Sequence, residues 1–264
     1  MSKAPVKLYW DGALVRPNFG DTLSPKLVEM LSGRDVVYAS ISRCDMVSIG
    51  SILDDVIAGH RKRLAKLRLN RIVVWGSGSF GTDRTVGWRW LDIRSVRGPK
   101  TRDMLGLAKE APMGDPALLL DRVTPSTAKA RRWGVIVHPE DGDYAMVRTM
   151  LNETPNSMAI NLGTEDVIGT AREIASCDFI MSSSLHGLIA ADALGVPSVW
   201  MHLRDIGGHW KFYDYFASVG RVERAPVLTA ADLRNFENQA DIADQSMLAQ
   251  RRRDLDTSFA SLNL

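Results

Sequence analysis

Short apolar runs alternate with helix-periodic stretches along most of this chain, and they do so in two series. In the first, Val6–Trp10, Met46–Ile49, Ile72–Trp75 and Ile93–Val96 read as strands. Pro25–Leu31 places Leu27, Val28 and Leu31 on one face and reads as a helix, with Ser24 and Pro25 as N-cap and first-turn proline and Gly33 as a stop. Lys100–Leu107 reads as a further helix. The second series opens near Arg132: strands at Gly134–Val137, Met158–Asn161, Asp178–Met181 and Pro197–Met201, helices at Tyr144–Asn152, Asp166–Ser176 and Gly187–Leu194. Such alternation requires parallel sheets with helices on both faces. Ala111–Lys129, with Pro112, Pro116 and Pro125, is the expected linker, so residues 1–125 and 126–264 are expected to form two α/β domains facing a cleft. Thr229 with Asp232 resembles a capping box, and Ser246–Leu262 is a second amphipathic stretch near the end.

Composition excludes little beyond the extremes. With 264 residues, 45% hydrophobic and 24% charged, the chain can bury a core and is not disordered, collagen-like or a coiled coil throughout. The net charge of +2 conceals an asymmetry: residues 1–130 carry 21 Lys/Arg against 13 Asp/Glu, and residues 131–264 carry 12 against 18. A basic front half points to an anionic ligand or surface met from that side. Cys44 and Cys177 lack metal or redox spacing, which favours a reducing compartment without disulfides. Met1–Trp10 lacks the pattern of a secretory signal, and no window approaches the ~20 apolar residues of a membrane span. A cytoplasmic protein is the expectation.

Four segments set small or polar residues just after a strand, where ligands and catalytic groups gather in α/β folds. Asn18-Phe19-Gly20-Asp21 reads as a helix N-terminus open to a ligand, or as a turn with an Asp cap. Gly76-Ser77-Gly78-Ser79 reads as an anion nest or a bare turn; it has neither the third glycine of a dinucleotide fingerprint nor the lysine of a P-loop. In Ser95-Val96-Arg97-Gly98-Pro99 the guanidinium of Arg97 suits a phosphate or carboxylate, the plainer alternative being a surface pair with Asp92 or Asp103. Ser182-Ser183-Ser184-Leu185-His186-Gly187 carries the most information, because it turns an imidazole into the first turn of a helix beside serine hydroxyls. Downstream, Lys211 can meet an anion and Tyr213 and Tyr215 can stack on a sugar, or Phe212 and Phe216 make this only an amphipathic helix. His138, His202 and His209 form no tight metal set, and no metal is expected. Arg61–Arg71 is a solvated basic helix face or a contact with anionic lipid head groups; without aromatic interleaving, nucleic acid is not expected.

Taken in order, Asn-Phe-Gly-Asp, Gly-Ser-Gly-Ser, Ser-Val-Arg-Gly-Pro-Lys-Thr, Gly114-Asp115-Pro116, Ser-Ser-Ser-Leu-His-Gly and Lys-Phe-Tyr-Asp-Tyr resemble the polysaccharide pyruvyl transferase family, from about Asn18 to Gly220. The resemblance implies two Rossmann-like domains in a GT-B-like arrangement. It also implies transfer of the enolpyruvyl group of phosphoenolpyruvate onto a saccharide, free or lipid-linked, to form a pyruvate ketal. Carried over by motif, His186 is the central histidine and Arg97 and Lys211 are cationic donors to phosphoenolpyruvate. Asn18, Gly20 and Asp21 line the N-terminal side, with Ser77, Ser79, Ser183 and Ser184 as further contacts. Many members have Arg immediately before Leu-His-Gly; Ser184 stands there in this chain, so its contact is lost or supplied from elsewhere, as by Arg204. In the expected chemistry His186 is general acid or base and Asp21 orients it or deprotonates the sugar. Phosphoenolpyruvate is the donor and no further cofactor enters. Two other readings stay open: a glycosyltransferase using a nucleotide sugar, with Asp192 as the ribose acid, or a non-catalytic saccharide-binding relative. The C-terminal helices are also available for a homodimer.

Overall fold

The computed structural model describes residues 4–11, 17–67, 69–82, 90–138, 145–203, 208–227 and 233–262. The first half contributes strands β1 (Val6–Tyr9), β2 (Val36–Tyr38), β3 (Met46–Val47), β4 (Ile72–Trp75) and β5 (Leu91–Ser95). They form an all-parallel sheet in the order β2-β1-β3-β4-β5. Its helices are α1 (Phe19–Ser32), α2 (Leu53–Ala58), α3 (His60–Leu64) and α4 (Pro99–Met104). The second half contributes β6 (Arg131–Val137), β7 (Ser157–Asn161), β8 (Cys177–Ser182) and β9 (Ser198–Trp200), again all parallel, in the order β7-β6-β8-β9. Its helices are α5 (Ala145–Glu153), α6 (Val167–Ala175), α7 (Leu185–Ala193), α8 (Trp210–Val219) and α9 (Gln245–Ala260). The fold is therefore α/β with two Rossmann-like halves facing a cleft, as expected.

Helix α1 begins earlier than proline placement alone implied. Asn18 is its N-cap, with Oδ1 accepting from the backbone N of Gly20 at 3.1 Å, and Pro25 lies inside the helix. The buried stripe runs through Phe19, Leu23 and Leu27 at four-residue spacing, so the core-facing stripe starts a full turn before Ser24. Strand β2 was not expected; it is three residues long and only partly buried, so it carries little periodic signal. The Thr229–Asp232 capping box and the Tyr144 start of α5 lie outside the described residues.

The segment joining the two sheets is packed rather than loose. Pro116–Arg122 forms a 3₁₀ helix capped by Asp115, and Ala117, Leu118, Leu119 and Leu120 are fully buried against α1, α7 and α9. Helix α9 returns to the first sheet: Trp75 Nε1 donates to the Leu255 carbonyl at 3.1 Å, and the Trp75 and Phe259 rings meet edge-on at 4.7 Å. One core cluster accordingly runs through both halves, from Leu8 and Phe19 through Leu119 to Ile136, Leu188, Phe212 and Leu255. Cys44 and Cys177 are buried free thiols. Among the described residues no helix is long and apolar enough to cross a membrane.

Candidate active site

In a parallel sheet, the loops leaving the carboxyl ends of two strands diverge where the strand order reverses, and a crevice opens there. That place lies between β1 and β3 in the first sheet and between β6 and β8 in the second. A cavity of about 220 Å³ joins the two crevices. Asp11, Asn18 and Asp21 reach it from after β1, and Gly50, Ser51, Ile52 and Asp55 from after β3. The second half supplies His138 from after β6 and Ser184, Leu185 and His186 from after β8; Phe80 and Lys211 complete the wall. The wall is split by charge, with carboxyls on the first half and imidazoles and an ammonium on the second.

His186 lies in the first turn of α7, as its position after the serines implied. Its imidazole rests on the backbone of Gly20: a Cβ at that glycine would overlap the ring. Enclosure by protein, the Lys211 ammonium, His138 and the Arg97 guanidinium all oppose a second positive charge there, and push His186 down to about 3. The imidazole is thus neutral at neutral pH. Across the cavity the reverse holds for Asp21. Burial, reinforced by the charge of Asp11, pushes its carboxyl up to about 8, so at neutral pH it keeps its proton.

Lys211 stands in the first turn of α8, 8% exposed, with its ammonium 5.2 Å from the ring centre of Phe80 and 5.5 Å from that of Phe212. Such ring faces hold a cation without neutralising it. Ser184 is the N-cap residue of α7 but makes no side-chain cap bond, and it lines the cavity. The positive end of α7 therefore faces the same space as Lys211. Ser183 lies beside it, where its Oγ accepts from the backbone N of His138 at 2.9 Å, in a smaller hollow shared with His202 and His209. Those two imidazoles pair with each other at 3.2 Å. Among the described residues no group of three or more His, Cys, Asp or Glu has the geometry to hold a metal ion.

The structure places several expected contacts behind the wall rather than on it. Arg97 is 1% exposed, and its guanidinium is committed: Nε to Asp214 at 3.1 Å, Nη1 to Ser51 Oγ at 2.5 Å and Nη2 to the Ser79 carbonyl at 2.8 Å. Neither Asp92 nor Asp103 is its partner; they pair with Arg94 and Arg102. Its charge still reaches His186, as the depressed imidazole records. Ser77 and Ser79 are fully buried, the first bonded to the Ser48 carbonyl and the second to Asp54 at 2.8 Å. Three of the four backbone N–H groups of the expected anion nest are already bonded within the protein: Gly76 to Ser95, Gly78 to Gly50, and Ser79 to Thr101. Tyr215 is fully buried and donates to Asp192 at 2.7 Å, so it is not a sugar platform; Phe80 places a phenyl ring on the cavity wall. Asp192 is equally unavailable to a ribose, because Arg221 at 2.9 Å, Tyr215 and the Ala243 N–H occupy it. Arg204 lies outside the described residues.

Sequence reading missed Asp11, Ser51, Asp55, Phe80 and His138 as wall residues. His138 follows β6 directly and Asp11 closely follows β1, so the rule that found His186 was able to find both.

The arrangement has known relatives. The family described as Polysaccharide pyruvyl transferase matches residues 18–202. The Succinoglycan biosynthesis protein ExoV of Rhizobium meliloti (strain 1021) is 28% identical over 236 residues, 85% of this chain and 69% of that protein. An uncharacterized protein of Acanthamoeba polyphaga mimivirus is 27% identical over 157 residues, and the chain spans only 54% of its length. Among solved structures, a functionally uncharacterized protein from Klebsiella pneumoniae subsp. pneumoniae NTUH-K2044 shares the fold at 13% identity and a TM-score of 0.50, covering 80% of this chain and 87% of that one.

Proposed function

Because the chain belongs to the polysaccharide pyruvyl transferase family, we propose that it moves the enolpyruvyl group of phosphoenolpyruvate onto a saccharide during exopolysaccharide synthesis, closing a pyruvate ketal across two hydroxyls. The name of the ExoV relative supports the saccharide side of this reading. The observation that carries the chemistry is the inverted protonation of the cavity: a protonated carboxyl on one wall and a neutral imidazole on the other. Groups whose surroundings drive their pKa values apart are suited to be the acid and the base.

In this proposal Lys211 and the positive end of α7 hold the phosphate and carboxylate, the place that Ser184 leaves without a guanidinium. Phe80 offers a ring face to the sugar. Asp21 gives its proton to the methylene carbon, and the double-bond electrons form that new C–H bond, leaving positive charge at carbon two. The first sugar hydroxyl attacks carbon two and His186 takes its proton. The carbon–oxygen bond to phosphate then breaks, the phosphate leaving with the proton from His186. The second hydroxyl closes the ring and returns a proton to Asp21. Both side chains end as they began. Arg97 does not touch the donor; it holds the cleft together and adds positive field.

Phosphate release from phosphoenolpyruvate, measured with a panel of unpyruvylated saccharide repeat units, tests the reading. His186→Ala should slow release by about 10²–10⁴-fold, the range for removal of a general acid–base group, with the circular dichroism of the fold unchanged. Full activity in that variant removes the assignment.

A further inference from the structure

Between residues 56 and 82 the sequence has six Lys or Arg and no Asp or Glu. One of the six is structural: Arg63 is 1% exposed, with Nη1 donating to the Cys44 carbonyl at 2.7 Å and Nη2 to the Asn70 carbonyl at 2.9 Å. It thereby pins both ends of the segment that leads from α3 to β4. On the turn so fixed, Leu64, Leu67 and Leu69 point outward, 45%, 85% and 81% exposed. Leu67 sits at φ 53°, a left-handed conformation that a bulky L-residue rarely adopts. The exposed leucines are therefore held in place by a buried guanidinium. Around them Lys62, Lys66 and Arg71 are exposed, Lys66 donating to Ser42 Oγ at 2.8 Å. The Asp45 carboxylate accepts from Asn70 Nδ2 at 3.1 Å. The Arg61 side chain and residue 68 lie outside the described residues.

We propose that this turn docks the protein on an anionic lipid surface, the leucines entering the boundary of the acyl chains while Lys62, Lys66 and Arg71 meet the phosphates. Fixed outward apolar side chains interleaved with cations suit a bilayer interface, where one end is apolar and the next layer anionic. A nucleic acid would be met by cations and stacking rings, but the exposed large apolar side chains of this segment are leucines. The segment enters the amino end of β4, whereas the cavity lies at the carboxyl ends of the strands, so docking leaves the cavity uncovered. The inference does not depend on the reaction proposed above.

The test is co-sedimentation of the full chain with vesicles of phosphatidylglycerol and phosphatidylcholine in equal parts. The protein should pellet with them, less so as salt rises and far less with phosphatidylcholine alone. Replacing Lys62, Lys66 and Arg71 together by Gln should lower the partition constant about a hundredfold. L67S with L69S should lower it at least about tenfold without moving Tm, since both side chains are solvated in the free protein. Protein left in the supernatant overturns the proposal. So does binding that the leucine changes leave intact, or binding that duplex DNA abolishes in competition while the leucine variant competes as well as the wild type.

Discussion

Gly20 lies in the first turn of α1, where helix propensity alone favours alanine by about 1 kcal/mol. A Cβ there would overlap the His186 imidazole, so steric contact decides against propensity. Gly20→Ala should therefore displace the ring: kcat should fall at least about tenfold, as expected for a misplaced catalytic group, while Tm stays within a few degrees. Retained kcat would show that the contact positions nothing. Asp21 makes a second prediction. With its carboxyl raised to about 8, kcat/KM should fall as pH rises through about 8, and Asp21→Asn should abolish that limb together with most of the activity. Stability carries the same signature. The folded value lies above the ordinary 3.8, so the contribution of Asp21 is full below that pH and is lost as pH rises through about 8. Urea denaturation of Asp21→Asn should show a shallower decline in stability over that window than the parent protein.

Helices α4 and α8 meet across the cleft at a buried carboxylate. Asp214 accepts from Arg97 Nε, from the backbone N of Thr101 at 2.9 Å and from Thr101 Oγ1 at 2.7 Å, so it both pairs a guanidinium and caps the start of α4. Breaking one side of a buried pair leaves the other charge uncompensated, which costs about 3–5 kcal/mol. Asp214→Asn should lower the free energy of unfolding by that order in urea titrations; a change below about 1 kcal/mol would mean the pair is not holding the halves together. This interaction also shows why some of the site was illegible in the sequence. His186, Asn18 and Asp21 follow from strand ends and helix starts, which are local signals, and Lys211 from its charge and the motif around it. Whether Arg97, Ser77 and Ser79 reach the cavity depends on what packs over them. Asp214, which buries Arg97, lies far along the chain on an element that local patterning cannot place. Most strands and helices were legible because their apolar periods are local too. Strand β2, helix α2 and the start of α1 were not, the first two for shortness and the third because a proline reads as a beginning.

At the scale of the whole molecule the two halves are stitched at several points around the cleft. The Phe19 N–H donates to the Leu162 carbonyl at 2.8 Å, the indole of Trp75 reaches α9, and Arg252 bonds both the Leu118 and Ala193 carbonyls. Two strand-order reversals thus bring the walls of the cavity together. Diffraction from crystals soaked in phosphoenolpyruvate tests that arrangement most directly. The account predicts density for the donor in the cavity between α1 and α7, its anionic groups toward Lys211 and the start of α7 and its methylene carbon toward Asp21. Density at another surface, or an empty cavity at saturating phosphoenolpyruvate, would contradict it.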